Sequence, residues 1–173
     1  TRENGPNIGE IVEHTYNPII GLIRNIEKPI ICAVNGVAAG AGANIAIACD
    51  ITFAAESANF IQSFSNIGLV PDSGGTFFLP RLIGLQRATA MMFLGNKTSA
   101  IEAKEMGMIY ETVADEQLME VVLDFAIKLS KRPTKGFGLT KKALNKSFTN
   151  SLQEQLNMEK ELQSLAAQTH DHK

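Results

Sequence analysis

Two short stretches contain the residue types that could do chemistry, and the first is Gly40-Ala41-Gly42. It follows an apolar run and precedes small residues that favour a helix. A helix beginning at such a turn leaves its first backbone N–H groups without intrahelical acceptors, and its dipole favours negative charge there. The turn therefore predicts a place that holds an anion, or an oxygen that becomes one. Tight packing of the helix on a strand is the alternative.

The second stretch is the glycine-rich loop 62–76, which contains Asp72. A loop of this length within a compact domain is usually functional. A carboxylate among apolar side chains has a raised pKa, because desolvation penalises its charged form, and it then exchanges a proton near neutral pH. A turn-forming aspartate is the alternative, and the residues favour neither. The apolar residues of this region are Phe64, Ile67, Leu69, Val70, Phe77 and Phe78.

The sequence does not favour dinucleotide binding, a serine nucleophile, a metal site or a disulfide. The glycine turn lacks the third glycine of a dinucleotide-binding fingerprint. The sequence around Ser73 differs from Gly-x-Ser-x-Gly and has no nearby histidine, which disfavours a serine nucleophile. The three histidines are isolated, so no metal site is expected. Cys32 and Cys49 lie in apolar runs without Cys-x-x-Cys spacing and predict reduced core residues of a cytoplasmic protein.

Length and composition limit the class of protein. The chain has 173 residues, of which 45% are hydrophobic, and a net charge of -2. This predicts one domain, or a domain with a helical appendage, and disfavours a general nucleic-acid or membrane-surface binder. Neither a membrane span nor a signal peptide is apparent. Residues 1–6 predict a loop without an initiator methionine, so we expect the chain to be a fragment.

Periodicity and turn residues give an α/β pattern whose last third is helical. Residues 7–27 keep a helical period that Pro18 is expected to kink or split. The predicted strands are 30–34, 51–54, 59–61 and 108–113. The predicted helices are 43–48, 77–83, 86–94, 98–107, 115–130, 135–146 and 151–169. The last helix carries an apolar stripe that must be buried against its own domain or another subunit.

The stretches 28–50, 64–76, 79–84 and 94–113 resemble the enoyl-CoA hydratase/isomerase (crotonase) family, and the resemblance covers essentially the whole chain. It implies a crotonase-like spiral of ββα units, partial over residues 1–130, and a C-terminal helical region over 131–173 that serves oligomerisation and lies near CoA. It implies that the N-terminal third of the family fold is absent, including a strand that supplies one oxyanion-hole amide. It also implies an acyl-CoA thioester substrate, a trimer or hexamer, and no cofactor besides the CoA of the substrate.

The resemblance also assigns roles to particular residues. The family's second oxyanion-hole amide falls on Ala41. The two glutamates of the family's hydratases fall on Asn44 and Phe64, neither of which is a base. The family's isomerases carry an aspartate directly after a proline, which here is Asp72, and the surrounding residues are similar to the ring-epoxide isomerases of phenylacetate degradation. The residues expected to contact the substrate are Gly40, Gly42, Phe64, Leu69 and Phe77.

The favoured hypothesis is an acyl-CoA isomerase in which Asp72 shuttles a proton and oxyanion-hole amides stabilise an enolate. An enoyl-CoA hydratase, or another crotonase-type lyase or hydrolase, is the first alternative. A non-catalytic oligomerisation or binding subunit is the second. The stretch 128–146 has seven basic residues and no acid, which indicates either a solvated helical surface or attraction for CoA phosphates, and it assigns no single lysine.

Overall fold

The computed structural model describes residues 7–172, so the loop predicted over 1–6 lies outside the described residues. The first helical stretch consists of α1 (Ile8–Ile11), a π-helical turn (Val12–Tyr16) and α2 (Asn17–Asn25). Pro18 lies in the first turn of α2, where a missing N–H is tolerated. The interruption predicted at Pro18 is therefore a change of helix type, and the helical residues continue through it.

The strands form two small three-stranded sheets. The first sheet has the order β1-β3-β6 and is parallel throughout, whereas the second has the order β2-β4-β5 and is antiparallel between β4 and β5. The strands β1 to β4 alternate between the two sheets, so each consecutive pair adds one strand to each sheet. This is the ββα spiral that the family resemblance implies, and the predicted fold class is confirmed. The strands are β1 (Ile31–Val34), β2 (Val37–Ala39), β3 (Ile51–Ala55), β4 (Asn59–Ile61), β5 (Lys97–Ser99) and β6 (Glu111–Val113).

The remaining helices follow the prediction with small shifts in their ends. Short 3-10 turns lie at Ser65–Ile67, Asp115–Gln117 and His170–His172. None of the helices in residues 7–172 has both the length and the apolar character that a membrane span requires. The helices are α3 (Ala41–Ala48), α4 (Gly75–Ile83), α5 (Leu85–Leu94), α6 (Ala100–Glu105), α7 (Leu118–Ser130), α8 (Thr134–Ser147) and α9 (Leu152–Ala167).

Several predictions of local structure are wrong. The strand β5 (Lys97–Ser99) lies where the sequence predicts the start of a helix at Thr98. The strand β2 was not expected, because its three residues lie between two glycine turns and carry no period of their own. The strand predicted from Met108 begins only at Glu111. The chain is still turning out of α6 at Met108, where the N–H donates to the Ala103 carbonyl at 2.8 Å. In addition, α3 begins at Ala41, two residues earlier than predicted.

The helix α3 is the central element of the core. Three of its alanines, Ala43, Ala46 and Ala48, are almost completely buried, and Asn44 is buried with them. Small side chains let α3 pack closely against the strands and α4. The first turn of α3 is therefore held in a fixed position relative to the loop that leads into α4.

The helix α8 is attached to the rest of the chain through Asp50. One carboxylate oxygen of Asp50 lies 3.0 Å from Arg24, and the other accepts hydrogen bonds from the Lys141 ammonium at 2.7 Å and the Ile30 N–H at 2.8 Å. The Lys141 side chain is only 7% exposed. Lys141 is therefore part of the fold, which removes it from the lysines that could face CoA phosphates.

The helix α9 packs on α8 and leaves most of its leucine stripe open. Leu162 is buried, whereas Leu152, Leu156 and Leu165 are exposed in this single chain. The Gln155 side chain donates to the Ala143 carbonyl of α8 at 3.2 Å. The stripe predicted from the sequence is thus buried only in part by the chain's own residues.

We expect Asp50→Asn to lower the free energy of unfolding by about 2–3 kcal/mol, because two largely buried cations lose their carboxylate partner. Urea unfolding of the intact protein measures this change. Glu27→Gln, which removes the exposed ion pair with Lys135, is the control and should have a much smaller effect. Equal effects of the two substitutions would contradict a structural role for the Asp50 cluster.

Candidate active site

The glycine turn places unpaired amides at the start of α3. Gly40 has φ +53° and ψ −121°, its N–H donates to the Ile61 carbonyl of β4 at 2.8 Å, and its carbonyl accepts the Asn44 N–H at 3.1 Å. The bond from the Asn44 N–H to the Gly40 carbonyl is the first hydrogen bond of α3. The amides of Ala41 and Gly42 therefore precede the helical ladder, and within residues 7–172 they have no acceptor. The turn therefore presents two backbone donors at the start of a helix, where the helix dipole favours negative charge.

Phe64 and Ser63 lie against the glycine turn at Gly40. A Cβ atom at Gly40 would lie 3.5 Å from the Phe64 ring and 3.3 Å from the Ser63 hydroxyl. Phe64 is buried, whereas Gly42 is exposed and has open space around it. Of the predicted substrate contacts, Phe64 therefore packs on Gly40, whereas Gly42, two residues further along the turn, does not contact it.

Asp72 begins a tight turn that orients its carboxylate. The Asp72 carbonyl accepts the Gly75 N–H at 2.9 Å, and the two central residues, Ser73 and Gly74, have φ +51° and +74°. Positive φ at both positions is typical of a type I′ turn, and it is uncommon for a serine. The Ser73 hydroxyl is buried and donates to Asp72 Oδ1 at 2.9 Å. Ser73 thus holds the carboxylate in place.

The sequence interpretation considered Ser73 only as a nucleophile and did not identify this contact. The signal that could have found it is the Ser-Gly-Gly sequence directly after Asp72, which is typical of a tight turn. A residue held at positive φ stores of order 1–3 kcal/mol of strain, and such residues concentrate at functional sites.

The side chain of Asn44 joins the glycine turn to the Asp72 loop. Asn44 Nδ2 donates to the Asp72 carbonyl at 2.9 Å, and Asn44 Oδ1 accepts from Gln62 Nε2 at 2.8 Å. Asn44 lies one helical turn after Ala41. The helix that begins at Ala41 and the turn that begins at Asp72 are therefore joined by a side-chain hydrogen bond.

The apolar enclosure predicted around Asp72 is only partly present. Ile67 and Val70 are 70% and 78% exposed, and Leu69 is also exposed. Phe77 packs against Arg81 at 3.7 Å and against Phe148, on the side of α4 that faces the C-terminal helices. Phe64 is thus the one predicted substrate contact that is both aromatic and buried beside the turn, whereas Leu69 and Phe77 lie in more open surroundings.

A cavity and two cysteines lie elsewhere in the described residues. A cavity of about 970 Å³ lies between α8 and α9, and neither Asp72 nor Ala41 lines it. Within the described residues, no three His, Cys, Asp or Glu side chains are grouped as a metal site would require. Both cysteines are free and partly buried. A hydrogen bond with Cys32, together with burial, raises the pKa of the Cys49 thiol above its ordinary value.

We expect Gly40→Ala and Gly42→Ala to have opposite effects on stability. Alanine at residue 40 must adopt a positive φ and push against Ser63 and Phe64, so the free energy of unfolding should fall by about 1–3 kcal/mol. Alanine at residue 42 meets open space inside a helix and should leave stability unchanged or raise it. Thermal unfolding of both variants measures the difference, and equal destabilisation would contradict the geometry of the turn.

Comparison with known proteins identifies the family. The profile described as enoyl-CoA hydratase/isomerase matches residues 2–173. The 1,2-epoxyphenylacetyl-CoA isomerase of Escherichia coli (strain K12) is 47% identical over 97% of this chain and 64% of that protein. A probable enoyl-CoA hydratase of Rhodobacter capsulatus is 41% identical over 96% of this chain and 65% of that protein.

Solved structures agree with the sequence comparison. The enoyl-CoA hydratase/isomerase from Cupriavidus metallidurans CH34 superimposes with a TM-score of 0.90 and 34% identity, over 96% of this chain and 63% of that chain. The chain therefore spans slightly less than two thirds of the length of these relatives. Its ββα spiral, its glycine turn and the match along residues 2–173 establish that the chain belongs to the enoyl-CoA hydratase/isomerase family.

Proposed function

We propose that this chain carries the reacting groups of an acyl-CoA isomerase, in which Asp72 moves a proton between two carbons of a CoA thioester. The Ala41 N–H stabilises the enolate oxygen that forms in between. The observation that carries the proposal is the Asn44 side chain, which hydrogen-bonds the Asp72 carbonyl from the helix that begins at Ala41. The Ala41 amide has no acceptor within residues 7–172. The similarity to a 1,2-epoxyphenylacetyl-CoA isomerase supports isomerisation, with a ring epoxide or an enoyl group as the rearranging unit.

The chemistry requires both groups. A carboxylate is too weak a base to remove the α-proton of a thioester unless the charge that develops on the thioester oxygen is stabilised. The Asp72 carboxylate takes the proton, the electron pair of the C–H bond moves into the enolate, and the Ala41 amide donates to its oxygen. The protonated Asp72 then delivers the proton to another carbon. The double bond moves, and no atom is gained or lost.

Two residues favour isomerisation over hydration. Adding water across a double bond is suited to two carboxylates, one for the water and one for the carbon. The corresponding positions hold Asn44, which is bonded to Gln62 and Asp72, and Phe64, which packs on the glycine turn. Neither side chain transfers a proton. A single carboxylate suits a proton shuttle.

Hydration is the second candidate, because a probable enoyl-CoA hydratase is among the relatives. In that case Asp72 would activate water, and incubation with a 2-enoyl-CoA would produce a 3-hydroxyacyl-CoA. A non-catalytic subunit would produce neither product and would exchange no α-proton with solvent deuterium.

The proposed partners follow from the family and from the exposed surface. The substrate is an acyl-CoA thioester, with its phosphates facing basic residues of the stretch 128–146 other than the buried Lys141. The open leucine stripe of α9 supports assembly into a trimer or hexamer, in which a neighbouring copy covers it.

Asp72→Asn should lower kcat for 3-enoyl-CoA isomerisation by about 10²- to 10⁴-fold and leave KM nearly unchanged, because asparagine keeps the shape and loses the proton acceptor. Steady-state assay of the intact protein measures both constants. Asp171→Asn, in the exposed C-terminal turn, is the matched control and should retain full activity. Undiminished turnover by the Asp72 variant would exclude the proton-shuttle role.

Ala41→Pro tests the amide directly. Proline is favoured in the first turn of a helix, so the fold should be kept, but the N–H is lost. We expect kcat to fall by about 10²- to 10³-fold, which is typical for the loss of one oxyanion donor. Ala41→Gly keeps the N–H and should remain active. If both variants are equally active, then the enolate oxygen is not bound at this amide.

A further inference from the structure

The two reacting groups of the proposed function lie on different elements, so their separation must be fixed by something between them. Ala41 opens α3, whereas Asp72 lies in the turn that precedes α4. In the described residues, Asn44 is the side chain that hydrogen-bonds directly from α3 to the Asp72 main chain, at 2.9 Å. A shift of Asn44 would therefore move the carboxylate relative to the amide.

The orientation of the Asn44 amide is itself fixed. Gln62 Nε2 donates to Asn44 Oδ1 at 2.8 Å, which leaves Asn44 Nδ2 to face the Asp72 carbonyl. Both side chains are buried, with exposures of 0% and 1%. A Cβ atom at residue 75 would collide with the Asn44 amide, so Gly75 provides the space that this side chain occupies.

The Asn44–Gln62 pair has a cost in stability. Gln62 Oε1 is buried, and no donor among the described residues reaches it. An unpaired buried acceptor is unfavourable, whereas apolar residues of the same shape are often neutral or stabilising. A polar pair with one unpaired atom is thus a poor way to stabilise the core, and its position against Asp72 indicates another role.

We infer that Asn44 is a positioning residue, held by Gln62, that sets the distance between the Asp72 carboxylate and the Ala41 amide. This inference rests on the proposed function. Asn44 does not exchange the substrate proton, because its amide is neutral and its polar atoms are occupied by protein partners. Its effect on the reaction passes through Asp72.

The experiment replaces the polar pair by apolar residues of similar size, Asn44→Leu with Gln62→Met, in the intact protein. Because no buried acceptor is then left unpaired in this pair, we expect stability to stay the same or rise. We expect kcat for 3-enoyl-CoA isomerisation to fall about 10- to 100-fold at an unchanged KM, because a reacting group that is misplaced slightly loses rate, not ground-state binding. Gln62→Met by itself is the second variant, should the pair fail to fold, and should lower kcat less.

Thr52→Val is the matched control. The Thr52 hydroxyl is buried and donates to the Ala46 carbonyl at 2.6 Å, so it also joins a strand to α3, but away from Asp72. We expect this variant to lose stability and to keep kcat. Equal losses of kcat in the control and in the Asn44 variant would overturn the inference, because a general loosening of α3 would explain both.

Combination with Asp72→Asn separates the inference from the proposed function. If Asn44 acts through Asp72, Asn44→Leu should lower kcat in the wild-type background and cause no further loss in the Asp72→Asn background. Equal losses in both backgrounds, or none in the wild-type background, would overturn the inference and leave the proton shuttle intact. Full activity of Asp72→Asn would overturn the proposed function and the inference together.

Discussion

The close burial of α3 is the constraint on which the candidate site depends. The helix consists mainly of alanine, glycine and isoleucine, and its buried alanines let it lie against strands and helix at short range. A larger side chain at these positions would move the helix away from its neighbours. The first amides of α3 would then move with it, and so would everything bonded to Asn44. A packing requirement thus fixes the geometry of a polar site.

Polar contacts near the two ends of α3 connect it to different parts of the fold. Beyond the C-terminal end of α3, the Asp50 carboxylate accepts hydrogen bonds from Arg24 and Lys141. The bond with Lys141 attaches α8 to this part of the fold. In the first turn of α3, the Asn44 side chain hydrogen-bonds Gln62 and the Asp72 carbonyl and so joins α3 to the Asp72 loop. The Asp50 cluster pairs charges with charges. The Asn44 cluster is neutral, and within residues 7–172 the Gln62 Oε1 atom in it has no hydrogen-bond donor. Such a contact adds little stability, in keeping with the positioning role inferred for Asn44.

Local patterns in the sequence predicted most of the helices and strands and pointed to the glycine turn and the Asp72 loop, whereas the family resemblance implied the ββα spiral and the roles of Ala41 and Asp72. The glycine turn and the Asp72 loop were identified because glycine, proline and aspartate act on the neighbouring backbone. The hydrogen bonds of Asn44 that link the two were not identified, because their partners lie 18 and 28 positions further along the chain. The strand β2 was missed for a related reason: its three residues are defined by pairing with β4, not by a period of their own. The roles of Ser73 and Asn44 likewise exist only in the tertiary structure.

The same tertiary contacts bear on why one carboxylate suffices in the proposed reaction. The two positions to which the family resemblance assigns the glutamates of hydratases hold Phe64 and Asn44 in this chain. Phe64 fills one by packing on Gly40, and Asn44 fills the other by bonding to Gln62 and Asp72. A glutamate introduced at either position would enter a buried environment whose partners are already engaged, where its charged form is unfavourable. Hydration by two carboxylates would therefore need several changes at once, whereas the proposed proton shuttle uses only the Asp72 carboxylate, which accepts a hydrogen bond from the Ser73 hydroxyl.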